Sequence, residues 1–212
     1  MISTYPTDLE ENITSVVGIC GSLRNGSYTR QALSIALKGA EEAGARARMI
    51  DLRDYRLPFC GQEDDVEGRE GVDRLRLDVA QAQGVILGTP EYHGSFSGVL
   101  KNALDFLSMT EMRGKVVGLI GVAGGTMGAN NALNDLRSVN RALHAWVVPD
   151  QASIAEVHRA FDNSGQLNDP KLTARLKGVG REVARFAYLH SSKQALEFLK
   201  AWEETALAEV GQ

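Results

Sequence analysis

The stretch Ser15-Val-Val-Gly-Ile-Cys-Gly-Ser-Leu-Arg-Asn-Gly-Ser-Tyr-Thr29 passes from a short apolar run rich in β-branched residues into a loop of glycine, serine and asparagine. A run of that kind closed by Gly21-Ser22 is a buried strand feeding a turn. Beyond the loop, Ala32, Leu33, Ala36, Leu37 and Ala40 recur at helical spacing, and Gly44 stands where a helix C-terminus wants a left-handed residue. A second strand is expected over Ala47 to Leu52.

Working outward, Arg53 to Gly71 mixes Pro58, glycines and carboxylates, which reads as a solvent-facing loop leading into a helix from about Val72 to Gln83. The Glu63 to Glu70 charge run within it reads as a wet surface. Gly84-Val-Ile-Leu-Gly-Thr-Pro90 is a central strand covered on both faces. Ser97 caps a helix with an apolar stripe of Val99, Leu100, Ala103, Leu104, Phe106 and Leu107, while Lys101, Asn102 and Asp105 face away. Lys115 to Gly121 is a fourth strand, followed by a helix carrying Ala132, Leu136, Val139 and Leu143. A fifth strand near Ala145 to Val148 is expected to stop at Pro149. Turn signals cluster at Asp162 to Gly165, and Leu172, Leu176, Val179, Val183 and Phe186 mark a further amphipathic helix. Ser191 and Gln194 suit a capping box for a last helix through Leu199 and Trp202, whose apolar side chains read as core; one bent continuous helix fits the same stretch.

Strand and helix thus alternate five times, which implies a parallel sheet sandwiched by helices with right-handed crossovers, an α/β doubly wound domain. The chain has 212 residues, enough for folding to hide roughly 70% of the extended surface in one domain. That domain is expected over 14–190, with a flexible extension over 1–13 and a helical tail over 191–212 packed on it. Lys and Arg number 23 against 27 Asp and Glu, a net charge of −4, without the basic footprint of a nucleic-acid binder. Cys20 and Cys60 have no partner spacing for a zinc site. Cys20 reads as packing at a strand end, and Cys60, in a polar loop, lacks a resolving partner for redox work. His144, His158 and His190 show no ligand spacing, so no metal is expected. Met1 to Glu11 lacks a secretory pattern, and no apolar run approaches the ~20 residues that span a bilayer. The expectation is a reduced, cytoplasmic chain without membrane insertion.

In such sheets ligands bind beyond the carboxyl ends of the strands, where strand order reverses. Three loops of unusual composition leave those ends. Gly21 to Thr29 opens a helix, so free backbone amides and the positive end of the helix dipole favour an anion, with Ser22, Ser27, Thr29 and Arg24 as further donors. The loop is neither a Walker A site, since Ser27 stands where lysine would grip a nucleotide, nor the G-x-G-x-x-G fingerprint of dinucleotide folds. Taken alone, it is equally a polar strand-to-helix turn. Thr89 to Ser97 offers a rigid Pro90, two aromatics and small residues, suited to meeting the edge and face of a flat heterocycle. Gly124 and Gly125 let main chain approach a ring with no Cβ in the way. Together the loops suit a planar ring bearing one phosphate.

Gly21-Ser-Leu-Arg-Asn-Gly-Ser27, Pro90-Glu-Tyr-His-Gly-Ser-Phe-Ser-Gly-Val-Leu-Lys-Asn-Ala-Leu-Asp105 and Ala123-Gly-Gly125 together resemble the NADPH-dependent FMN reductase family of flavodoxin-like fold, in its azobenzene, chromate and quinone reductase branch. The resemblance covers roughly residues 14 to 155. It implies a five-stranded sheet of order 2-1-3-4-5 and bound FMN, its phosphate held by Ser22, Arg24, Ser27 and Thr29. The ring edge would be met by Pro90, Glu91, Tyr92 and His93 on one side and by the Ala123, Gly124 and Gly125 loop on another. This chain carries Thr29 where the family commonly has Asn, and His93-Gly94 where Asn-Arg is frequent. The implied activity is hydride transfer from NADPH or NADH to flavin, then on to a small-molecule acceptor such as a quinone, azo dye, flavin, ferric chelate or chromate. No side chain is required as acid or nucleophile; His93 is the one candidate proton donor, and a loop histidine reads first as solvated or structural. The resemblance also implies a homodimer or homotetramer. A flavodoxin-type electron carrier and a flavin-dependent redox sensor are the readings from other classes.

Overall fold

The structure, a computed structural model, describes residues 13–62, 66–162, 164–193 and 196–200. The expected extension over 1–13 and tail over 191–212 fall largely outside them. The strands are β1 (Ser15–Cys20), β2 (Arg46–Asp51), β3 (Gly84–Tyr92), β4 (Ser95–Phe96), β5 (Val116–Val122) and β6 (Trp146–Ile154). All but β4 are parallel, in the order β2-β1-β3-β5-β6. Counted alone, those five long strands have the expected 2-1-3-4-5 order. The addition is β4, which folds back antiparallel on the end of β3. His93 and Gly94 make its two-residue turn with φ of +52° and +82°, the doubly left-handed geometry whose twist suits a tight hairpin.

The helices are α1 (Tyr28–Glu42), α2 (Val66–Ala80), α3 (Gly98–Asp105), α4 (Met109–Met112), α5 (Asn130–Ala142), α6 (Val157–Ala160) and α7 (Pro170–Ser191). Apolar side chains of α1 and α7 bury one face of the sheet, and those of α2 to α5 bury the other. Right-handed crossovers require this division, because the chain steps one way from β1 to β2 and the opposite way from β2 onward.

The two faces are built differently. Under α2 to α5 the strands present Val17, Ile19, Val85, Leu87, Val117 and Leu119. Under α1 and α7 large and absent side chains alternate across the ladder: Val16, Gly84 and Val116 form one row, Gly18, Ile86 and Gly118 the next, Cys20, Gly88 and Ile120 the third. A Cβ on Gly118 would stand 2.7 Å from Val179 and Val183, and one on Gly84 2.7 Å from Val183. The glycines are the holes into which α7 inserts its valines. Between the two helices the approach is closer still, since a Cβ on Gly180 would collide with the Ala36 carbonyl and one on Gly39 with that of Lys177.

Three expectations change. First, β6 runs through Pro149 to Ile154 instead of stopping. It is the sheet edge, and its register on β5 shifts between Val117 and Leu119, so Pro149 falls where the ladder needs no amide. Second, α2 begins at Val66, inside the expected loop. Its first turn buries only Gly68, so no apolar periodicity announces it. Third, Ser191 ends α7 rather than capping a later helix: its hydroxyl donates back to the Ala187 carbonyl at 2.7 Å. Ser192 then turns extended, with φ −65° and ψ 142°, which rules out one continuous helix; Gln194 and Trp202 lie outside the described residues. Leu199 is exposed, not core.

Candidate functional site

The connection reverses between β1 and β3, and the three expected loops converge beyond the carboxyl ends of β1, β3 and β5. They enclose a cavity of about 400 Å³. Ser22, Arg24, Ser27 and Thr29 line it from the first loop, Pro90, Glu91 and Tyr92 from the second, Ala123 and Gly124 from the third. His93 and Gly125 are not on its wall; His93 sits exposed at the hairpin apex. Asn25, Gly26 and Val122 line it too, as do Tyr28, Val157 and His158, for which sequence reading gave no such role.

The β1–α1 loop is polarised by what holds its carbonyls. Ser97 Oγ donates to the Gly21 carbonyl at 2.6 Å while accepting the Leu100 amide at 3.2 Å, so one buried hydroxyl caps α3 and ties it to the end of β1. The Ser97 amide in turn donates to Thr89 Oγ1 at 3.0 Å. Arg30, on the first turn of α1, reaches back over the loop: Nη2 donates to the Ser22 carbonyl at 3.1 Å and Nη1 to that of Arg24 at 3.2 Å. Its Nε pairs with Asp51 Oδ2 at 2.7 Å, and Arg53 holds the same carboxylate at 2.7 Å. Burial alone would raise the Asp51 carboxyl, but hydrogen bonds from Arg53 and Arg30 outweigh it and hold the group well below the usual carboxylate range.

With those carbonyls drawn backward, the main-chain donors are left over. The amides of Asn25, Gly26, Tyr28 and Thr29 meet no acceptor among the described residues. Ser27 Oγ accepts the Arg30 amide at 3.3 Å as N-cap of α1 and keeps its own proton to donate. The nearly buried Ser22 and Thr29 hydroxyls have no partner among the described residues. Arg24 lies over the Tyr92 ring, 5.4 Å from its centroid, and pairs with no carboxylate there. Free amides at a helix start, three hydroxyls and an unpaired guanidinium form an anion cradle.

The other loops are fixed by different means. Glu91, expected at a ring edge, sends its carboxylate to the Ala132 amide at 3.0 Å. It thereby caps the start of α5, whose own N-cap Ala129 has no side-chain bond to offer. Ser95 Oγ donates to Asp135 Oδ2 at 2.6 Å and pins the hairpin to the same helix. The β5–α5 loop is held by main chain: the Ala123 amide donates to Ile154 at 2.8 Å, and the Ala123 and Gly125 carbonyls accept from Val157 and Glu156, each at 3.0 Å. The Gly124 and Gly125 amides remain free among the described residues. There, too, no side-chain group could hold a metal ion, and no helix is long and apolar enough to cross a membrane. Cys20 is buried, and burial pushes its thiol up, which suits packing.

A doubly wound sheet with a polarised strand-to-helix loop at its switch point is the architecture of flavodoxin-like, mononucleotide-binding proteins. Solved structures of that fold superpose on it. FerB, a flavoenzyme NAD(P)H:(acceptor) oxidoreductase from Paracoccus denitrificans, does so with a TM-score of 0.68 and 24% identity over 84% of this chain and 99% of its own. A flavodoxin from the domain Archaea does so at 0.57, with 15% identity over 82% and 99%. Within that class the chain belongs to the NADPH-dependent FMN reductase family, which matches residues 14–159. It is 33% identical to the FMN-dependent NADPH-azoreductase of Staphylococcus aureus over 174 residues, 79% of this chain and 92% of the relative. To the NADPH-dependent FMN reductase ArsH of Shigella flexneri it is 32% identical over 175 residues, 80% and 67% of the two chains. To the NADPH azoreductase of Bacillus sp. strain OY1-2 it is 40% identical over 110 residues, 52% of this chain and 62% of that relative.

Proposed function

We propose that this chain is an FMN-dependent NAD(P)H oxidoreductase that passes electrons in ping-pong fashion to a small acceptor of the quinone, azo, flavin, ferric or chromate type. The observation that carries the reading is the polarised β1–α1 loop, whose Gly21, Ser22 and Arg24 carbonyls are occupied and whose Asn25, Gly26, Tyr28 and Thr29 amides are free among the described residues. The residues present fit a phosphate monoester: Ser22, Ser27 and Thr29 supply hydroxyl donors, Arg24 a charge, and the start of α1 its amides. An aliphatic or acidic loop here would reject that group.

When bound, FMN supplies the two-electron centre that takes a hydride from reduced nicotinamide and gives electrons to the second substrate. The chain supplies binding and electrostatics. Gly124 offers a free amide on the cavity wall, and hydrogen-bond donors near a flavin edge stabilise the negative charge that reduction places there. Tyr92, 40% exposed, presents an aromatic face at the cleft mouth, backed by Arg24. Glu91 acts at a distance, holding the end of β3 to α5. Proton delivery to the acceptor is left to solvent, because His93 stands at the exposed apex of a hairpin off the cavity wall.

The test is spectral and kinetic. Purified protein reconstituted with FMN should show a bound-flavin spectrum, and anaerobic stopped-flow mixing with NADPH should bleach it directly, followed by recovery on adding a quinone or azo dye. A chain that binds FMN but is inert to NADPH and NADH is an electron carrier. A chain that neither takes up FMN nor oxidises NADPH overturns the reading.

A further inference from the structure

We infer that His158 is a binding residue of the anion cradle, giving the phosphate monoester of the bound mononucleotide a contact that depends on the imidazole proton. The inference rests on the proposed function above and adds to it a residue that lies outside the three loops.

His158 lines the same cavity as Ser22, Ser27 and Thr29. Its place there is built in. The short helix α6 is stapled to the β5–α5 loop by the Val157 amide on the Ala123 carbonyl and the Glu156 amide on the Gly125 carbonyl, each at 3.0 Å. Glu156 turns into it with a left-handed φ of 41°, a strained conformation for a residue with a side chain. The imidazole stands edge-on to Tyr28, ring centroids 5.6 Å apart, and Tyr28 is the first residue of α1 and is stacked from behind by Phe161 at 5.3 Å. The ring is therefore held against the side chain of the first residue of α1, on the wall of the cavity that the loop amides also reach. A Cβ on Gly124 would stand 3.7 Å from Nε2, so the glycine leaves that nitrogen uncovered. Neither ring nitrogen has a hydrogen bond or ion pair among the described residues.

The charges around the ring are few. Glu156 and Arg159 on its own helix neutralise each other at 2.9 Å. From α1 the neighbour is the Tyr28 phenol, from the β5–α5 loop Ala123 and Gly124 carry no charge, and Arg24 shares the cavity. Glu91 is on the same cavity wall, but its carboxylate is taken up by the Ala132 amide at 3.0 Å, which leaves a protonated imidazole to a bound anion. Only the protonated imidazole brings a positive charge to the phosphate, so the contact strengthens as protons are added and weakens as they are removed. The phosphate gains its second negative charge as protons are removed and strengthens its bonds to the amides, so the wild-type profile alone does not isolate the histidine. The difference between wild type and a neutral variant does.

The experiment is a fluorescence titration of apoprotein with FMN, and with riboflavin as the phosphate-free probe, across about pH 5.5 to 8.5 for wild type, His158→Gln and His158→Lys. Wild type should bind FMN about three- to tenfold more tightly than His158→Gln near pH 5.5, as a part-exposed charge-assisted contact does, and the two should converge near pH 8.5. His158→Lys should keep the advantage at every pH, and riboflavin affinity should be indifferent to all three. Parallel pH profiles for wild type and His158→Gln, with FMN still preferred over riboflavin, overturn the inference, leave the proposed function standing and make the ring a packing partner of Tyr28. Failure of wild type to bind either flavin overturns the proposed function and this inference together.

Discussion

The β1–α1 and β5–α5 loops reach one cavity, each with engaged carbonyls and free amides at its centre, yet they are held by different means. The first depends on two side chains, Arg30 just past the loop with its distant Asp51 counter-ion, and Ser97, the N-cap of α3. The second is secured around Ala123 to Gly125 by main-chain bonds to Ile154 and the segment after it, with the Ser153 and Asn130 side chains reaching only its far end. A loop held by side chains is set by individual residues and is sensitive to point mutation and to acid. A loop held by backbone tolerates a change of side chain. The anion cradle is thus the fragile half of the site, and the glycine loop the robust half.

The largest break should come from Arg30→Ala. It frees two loop carbonyls and leaves a mostly buried Asp51 with Arg53 alone, at a cost of about 2 to 3 kcal/mol in urea unfolding. FMN affinity should fall together with stability, because the released carbonyls are no longer drawn away from the anion. Ser97→Ala follows at about 2 kcal/mol, combining a lost N-cap with an unsatisfied buried Gly21 carbonyl. If either variant keeps both its stability and its FMN affinity, the loop is not held as described.

Acid probes the same half. The folded-state Asp51 carboxyl lies below its ordinary value, so its contribution is complete above the usual carboxylate range and is lost as pH falls through that range and below. Relative to pH 6, about 1 kcal/mol should be gone by pH 3. Asp51→Asn, measured by urea unfolding at both values, should lose this portion of the acid sensitivity.

How much of this could be read in the sequence follows the same division. The strand Ser15–Cys20 and the cap at Ser97 coincide with expectation because local signals carry them: a β-branched run closed by Gly-Ser, and a serine before an apolar stripe. The free amides were legible in the composition of Gly21 to Thr29. Arg30 and Asp51 were not, since they sit 21 positions apart and no periodicity distinguishes an arginine on the polar side of α1 from a solvated one. His158 was read only for metal spacing, although its partner Tyr28 lies within the quoted loop. Pro149 misled because a proline ends a central strand but is tolerated at an edge. The hairpin at His93-Gly94 left one usable trace, a glycine at the second position of a two-residue turn.

The smallest expected stability effect tests the robust half. Gly124 carries no positive φ, and a Cβ placed there makes an ordinary 3.7 Å contact with His158 Nε2. Gly124→Ala should therefore shift unfolding by no more than about 0.5 kcal/mol, and the reduced freedom of the unfolded chain favours the stabilising direction. The added methyl nonetheless enters the cavity beside the free amides of the loop, so FMN affinity should fall while the melting curve stays in place. Arg30→Ala moves stability and affinity together, whereas Gly124→Ala should move affinity alone, and calorimetry with FMN titration on the two variants reads that contrast directly. A Gly124→Ala protein that unfolds early would mean the β5–α5 loop depends on its glycine for shape, and the distinction between the two halves of the site would fail.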